Sequence, residues 1–253
     1  MKNLCIFDIE TVPCVQTTCN LLNLDPQTSE DVVRQKLTEY HLEITKGQNS
    51  FPRQPFHKIV CISFLICGIE LGDNGEEYSI KTLSTGGKNG EGEEEILTKF
   101  ISFIQKYKPR LISFNGKTFD LPVIQYRSMK YAIPCPWLYS KELSYKFNHE
   151  PHCDLIDAFS NFGASARVKM SEVASLLGIP CKQSGSGNEV LSMYTAGKIK
   201  EICHYCEEDV LGTYMLYLHY QMHRGAIGQE SFSIAIEQAR EEMNQLYTLG
   251  KTI

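Results

Sequence analysis

Leu4-Cys5-Ile6-Phe7-Asp8-Ile9-Glu10-Thr11 is an apolar run that closes on two carboxylates, and the fold follows from how it is read. Leu4, Ile6 and Phe7 stand among strand-forming neighbours, the pattern of a strand buried on both faces of a sheet. Such a strand is central, and the carboxyl ends of central strands are where open α/β sheets carry their chemistry. Side chains alternate along a strand, so Asp8 and Glu10 project to one side about 7 Å apart, and both can reach one divalent cation. The competing reading is a solvated turn. With 30 acidic residues in 253, roughly three or four acidic-x-acidic triplets arise by chance, so the motif needs support from elsewhere in the chain.

The length and the 42% hydrophobic content suit an ordinary buried core. No repeat, linker or low-complexity stretch marks a second domain, so one domain over 1–253 is expected. No run approaches the roughly 18 apolar residues of a membrane span. Met1-Lys2-Asn3 leads into the strand without a signal peptide, which makes a cytoplasmic location the expectation. Ten cysteines are scattered through apolar runs, as at Cys5, Cys61, Cys67 and Cys203, and are expected to be reduced. A net charge of −5 argues against a strong sequence-independent grip on nucleic acid, which needs clustered Lys and Arg. A polyanionic substrate would have to be held locally, with help from metal ions.

The polar segment 12–57 is a long excursion between strands, with a helix starting near Thr28-Ser29-Glu30-Asp31; we expect a flap beside the carboxylates. Ile59–Ile69 and Tyr78–Leu83 are β-rich runs around Gly72-Asp73-Asn74-Gly75, a strong hairpin signal, so the sheet is mixed. Glu91–Glu95 load the first turn of a helix whose stripe of Ile96, Leu97, Phe100, Ile101 and Ile104 reads as core. Leu111-Ile112-Ser113-Phe114-Asn115 is a short strand, Gly116 a turn, and Phe119-Asp120-Leu121-Pro122 a helix start. Asp120 could be an N-cap, yet this strand should lie parallel to the first, bringing Asp120 to the same sheet edge.

Cys153–Asp157 reads as an edge strand, with Asp154 a spare carboxylate. Met170–Leu177 reads as a short helix, and Ser184-Gly185-Ser186-Gly187 as loop lacking the Lys of a phosphate cradle. A long helix from Gly197 to His223 carries Tyr205-Cys206-Glu207-Glu208-Asp209. Tyr205 and Asp209 are four apart and share a stripe, rotated away from Cys203 and Cys206. Cys203-x-x-Cys206 has no second pair at ligand spacing, which weighs against zinc. A final helix spans Ser231–Leu246.

Taken in order, Asp8-x-Glu10 on a first strand, Asp120 opening a helix and Tyr205-x-x-x-Asp209 on a late helix resemble the DEDD superfamily of 3′–5′ exonucleases. The tyrosine matches its DEDDy branch. The chain looks similar to stand-alone bacterial exonucleases related to the proofreading domain of family B DNA polymerases, in Phe7-Asp8-Ile9-Glu10-Thr11, in Phe114-Asn115-Gly116-x-x-Phe119-Asp120-Leu121-Pro122 and in Tyr205–Tyr214. The resemblance implies an α/β, ribonuclease H-like fold, a mixed five-stranded sheet with an antiparallel second strand, flanked by helices. It further implies two Mg2+ or Mn2+ ions held by Asp8, Glu10, Asp120 and Asp209, with Tyr205 orienting the attacking water. Phe119 would stack on the terminal base, and Asn115 and Thr11 would contact the terminal nucleotide. The implied substrate is a single-stranded 3′ end. DNA is favoured over RNA through the proofreading likeness, and a replication or repair partner is not identified.

Three alternatives remain at this point. An exoribonuclease of the same fold would use the same residues. A haloacid dehalogenase-type phosphatase also places Asp-x-acid-x-Thr after its first strand, but needs a late acidic motif after a strand, whereas Gly72-Asp73 lies in the hairpin. A non-catalytic nucleic-acid-binding module would leave clustered carboxylates repelling one another with nothing to offset them.

Overall fold

Alternation along the first strand sorts the molecule into two sides. A computed structural model describes residues 2–144, 148–180 and 187–250, and in it β1 runs Asn3–Pro13. Leu4 and Ile6 point into one apolar cluster, while Cys5, Phe7 and Ile9 point into another. β2 (His57–Gly72), β3 (Gly75–Gly86), β4 (Arg110–Ser113) and β5 (His152–Asp154) complete a five-stranded sheet ordered β3-β2-β1-β4-β5. β2 is antiparallel to β1 and β3 antiparallel to β2, while β4 and β5 run parallel to β1. The mixed sheet, the antiparallel second strand and the hairpin at Asp73-Asn74 are as the sequence implied.

β1 does not stop at its carboxylates. It pairs with β2 as far as Pro13, with a bulge between Glu10 and Thr11. On its other edge β4 accompanies only Leu4–Ile6, so one flank of β1 lies open beside Asp8 and Glu10. Strand ends that fall short of their neighbours make such gaps.

The 12–57 excursion folds as α1 (Val15–Leu22), α2 (Glu30–Ile44) and a short 3-10 turn at Gln54–Phe56. Buried His41 stitches it together, its Nε2 accepting from the Arg53 N–H at 3.0 Å and its Nδ1 lying 2.9 Å from the Leu37 carbonyl. α1 is not recognisable in the sequence because its Gln, Thr and Asn content hides its periodicity.

α3 (Glu93–Tyr107) buries the expected stripe, and α4 (Asp120–Lys130) follows β4. The first-turn acids of α3 are not all surface charges. Glu93 is buried, accepts the Ile59 N–H at 2.7 Å, the Arg127 Nε–H at 2.6 Å and the Tyr131 hydroxyl at 2.7 Å, and is also bonded to an Arg127 terminal nitrogen. This network ties α3, β2 and α4 together and so fixes the helix that carries Asp120. Glu93→Ala strands the Arg127 charge among apolar neighbours, and we expect urea unfolding to report a loss of roughly 3–5 kcal/mol. An effect under about 1 kcal/mol would show that the network contributes nothing.

Two expectations are corrected. β5 ends at Asp154, which accepts the Ile156 N–H at 3.2 Å and caps α6 (Leu155–Phe159), so 153–157 is a strand end and a helix start. Gly187 begins α8 (Gly187–Thr195), while residues 184–186 of that predicted loop lie outside the described residues. α5 (Lys141–Ser144) is a single turn, and α7 (Met170–Leu177) is as expected. α9 (Ile199–His223) packs on β1 and β2, and α10 (Gln229–Gly250) packs on α9 and β3. The cysteines among the described residues form no disulfides, and none of the described helices is long and apolar enough to cross a membrane.

Candidate active site

β1 presents Asp8 opposite Ser63 and Glu10 opposite Cys61. Both carboxylates share the parity of Leu4 and Ile6, which face α9, so α9 and β1 together form one wall of the site. Carboxylate oxygens of Asp8 and Glu10 and the Cys206 sulfur all lie within 4.8 Å of one another.

Asp120 arrives from the open flank. It is the first residue of α4, following Phe119 at the cap position, and it is buried. Its own backbone N–H and that of Ile9 on β1 act on its carboxylate in favour of the charged form, which places the helix start beside β1 beyond the end of β4. The turn before it is built for this approach. A Cβ on Gly116 would stand 2.3 Å from Ser113 Oγ, so only glycine fits there. Asn115 adopts a left-handed φ of 69°, and the buried Asp154 accepts its N–H at 2.7 Å and that of Lys117 at 2.8 Å. Asp154, a spare carboxylate in the sequence reading, is the clamp on this turn.

On α9 Tyr205 stands one turn before Asp209, whose carboxylate acts on its hydroxyl. The neighbouring acids turn elsewhere. Glu207 accepts from Thr85 Oγ1 at 2.7 Å and Lys88 Nζ at 3.0 Å, and Glu208 lies 3.0 Å from His204 Nε2. Of the three consecutive acids, Asp209 is the one beside Glu10 and Asp8.

The electrostatics of the set are those of crowded acids. Burial first, then Cys206, Asp120, Glu10 and Asp209 hold the Asp8 carboxyl well above its usual range. Glu10 is raised likewise, by burial and then by Cys206, Asp209 and Asp120. Burial pushes Asp120 up to about 7, against the two N–H donors that favour its charged form, with Asp154 adding to the rise. Burial and the three nearby carboxylates push the Tyr205 phenol upward.

The residues assigned to substrate ring this centre. Thr11 Oγ1 lies 2.8 Å from His57 Nδ1, and His57 meets the Phe119 ring edge-on at 4.9 Å. Phe51, half exposed, lies 5.9 Å from Phe119, and Gln54 Nε2 donates to the Thr118 carbonyl at 3.0 Å. The end of the 12–57 excursion therefore abuts the second motif. Asn115 Oδ1 accepts the Thr118 hydroxyl, so part of its side chain is used in shaping the turn.

The sequence reading turns Cys206 away from the site, and the structure does not. Its thiol donates toward Asp8 Oδ2 at 3.5 Å and the Asp8 carbonyl at 3.4 Å. The signal is there in the spacing: Cys206 follows Tyr205 by about 100° around the helix, near enough to line the same wall.

Residues 49–251 match a family model described as "Predicted 3'-5' exonuclease related to the exonuclease domain of PolB". The chain belongs to this exonuclease family. The matched stretch contains Asn115, Phe119, Asp120, Tyr205 and Asp209, and β1 adds Asp8 and Glu10 through the geometry above. The chain is also 24% identical over 204 residues to the catalytic subunit of DNA polymerase epsilon from Schizosaccharomyces pombe, covering 72% of this chain and 9% of that protein. It is thus a 3′–5′ exonuclease by family, which removes the phosphatase alternative. Family exonucleases generally use divalent metals, and carboxylate oxygens are the donors such hard cations prefer. Asp8, Glu10 and Asp120, held together with their protonated forms favoured and with Asp209 beside them, fit that requirement, because a cation would offset their repulsion.

Proposed function

We propose that this exonuclease removes mononucleotides from the 3′ end of single-stranded DNA with two Mg2+ or Mn2+ ions, and that 1–253 is one exonuclease domain with an insertion at 12–57. The observation that carries this is the convergence of Asp8, Glu10, Asp120 and Asp209, with the Tyr205 hydroxyl beside Asp209, Glu10 and Asp8. Those four carboxylates would hold the ions, which in such sites acidify the attacking water and stabilise the attacking and leaving oxygens. Tyr205, its phenol pushed upward, keeps its proton at neutral pH and cannot act as general base, so its role is to orient the water. Phe119 stacks on the terminal base, with Asn115 and Thr11 against the terminal nucleotide.

Single strands are favoured because a terminal nucleotide must be splayed into the carboxylate pocket, and a duplex end does so only at an unstacking cost. A chain of net charge −5 releases few counterions from its substrate, so binding is weak and the enzyme lets go after a few nucleotides. The cell compartment we propose is the cytoplasm. End-labelled single-stranded DNA and RNA, incubated with Mg2+, Mn2+ or chelator, test the proposal. The expected outcome is a ladder of shortened DNA that needs metal and stalls when excess unlabelled strand is added. Faster shortening of RNA of the same sequence would transfer the assignment to an exoribonuclease, and complete degradation during the chase would overturn the release step.

A further inference from the structure

An all-oxygen donor set is what a magnesium site calls for, and this one has sulfur in its wall. Cys206 is fully buried, and its thiol is directed at Asp8 Oδ2. α9 is packed against β1 and β2 on that side, which encloses the thiol. Cys61, opposite Glu10 across the β1–β2 ladder, and Cys203, one turn earlier on α9, fill the same small apolar cluster behind it.

We propose that Asp8, Glu10 and the Cys206 thiolate form a site for a thiophilic divalent cation, Zn2+ or Cd2+, overlapping the place the proposed function gives to magnesium. The three donor atoms already stand within 4.8 Å of one another, close enough for one cation to reach all three. Sulfur donors select zinc-group ions, whereas carboxylate oxygen alone suits magnesium and manganese. Binding exchanges the S–H bond for a metal–sulfur bond and releases to the buffer the thiol proton together with any proton held by the Asp8 and Glu10 carboxyls, with no change of oxidation state. Because two of the ligands are the shared carboxylates, such an ion excludes the activating metal and the enzyme is inhibited. The inference depends on the proposed function only for that inhibition; the site itself is a statement about binding.

Cadmium reports the sulfur bond directly, through the ultraviolet sulfur-to-cadmium charge-transfer band. Titrating the metal-free protein with Cd2+ should raise this band to a plateau at one cation per chain, and a large excess of Mn2+ should bleach it. Cys206→Ser should lose the stoichiometric band, while the double variant Cys61→Ser, Cys203→Ser keeps it. A band that survives Cys206→Ser, that disappears in the double variant, or that never forms in the wild-type protein overturns the assignment. So does a wild-type band indifferent to Mn2+, a measurement that needs no variant to fold. If no strand is shortened under any condition, the exonuclease proposal falls while the cadmium band still decides this one.

Discussion

Asp8→Asn and Asp209→Asn are each expected to reduce nucleotide release to the level seen with chelator, a loss of at least about 10³-fold, the upper range for one preorganised charge. The side chains keep their shape and lose only the charge that would hold metal. Wild-type turnover in either variant would sink the site assignment. A second readout separates this from misfolding. Burial and neighbouring acids hold Asp8 above its usual range and Asp120 at about 7, against an ordinary 3.8. Groups raised in this way favour the folded protein where they keep their protons, and that contribution is lost as pH rises through the folded values. Without metal, Asp8→Asn should therefore melt above wild type at pH 8, by about 2–4 °C per kcal/mol recovered. The difference should shrink toward pH 4, where wild-type Asp8 is itself protonated. A variant that melts lower at pH 8 would mean that Asp8 serves the core.

Tyr205→Phe should cost roughly 10²–10⁴-fold in kcat, the range for a positioned proton-handling group, with KM nearly unchanged. The ring remains packed beside α8 and β1, and only the hydroxyl beside the carboxylates is lost. If instead the phenolate were the base, the wild-type rate would climb with pH as the phenol ionised, and this site pushes that ionisation upward, out of the physiological range. A flat rate between pH 7 and 9 in wild type, together with the loss in Tyr205→Phe, marks a water-orienting group. An unaltered rate in the variant would return Tyr205 to packing.

The fold is legible where one-dimensional patterns carry it. β1, the 72–75 hairpin, the α3 stripe and α9 each advertise their period, and the parallel placement of β4 follows from its crossover. The candidate acids stand out in the sequence because Asp8 and Glu10 follow an apolar run directly, Asp120 opens a helix and Asp209 lies on a regular helix face. What stays hidden depends on register between distant strands. That Glu10 faces Cys61, and that Glu93 is withdrawn from the helix surface to meet Arg127, cannot be read from spacing along the chain. Asp154 is misjudged for a related reason: a carboxylate that bonds three backbone N–H groups looks, in sequence, the same as one that awaits a cation.

The four acids come from β1, the start of α4 and the first half of α9, so residues 8 and 209 must both be in place before the pocket exists. During synthesis on the ribosome, a nascent chain extended only as far as α8 already holds Asp8, Glu10 and Asp120 but has no fourth carboxylate and no Tyr205. Nor has it the helix that covers that face of β1. On the proposed assignment such a nascent chain stays inert toward nucleic acid until α9 has been made and has closed over the sheet.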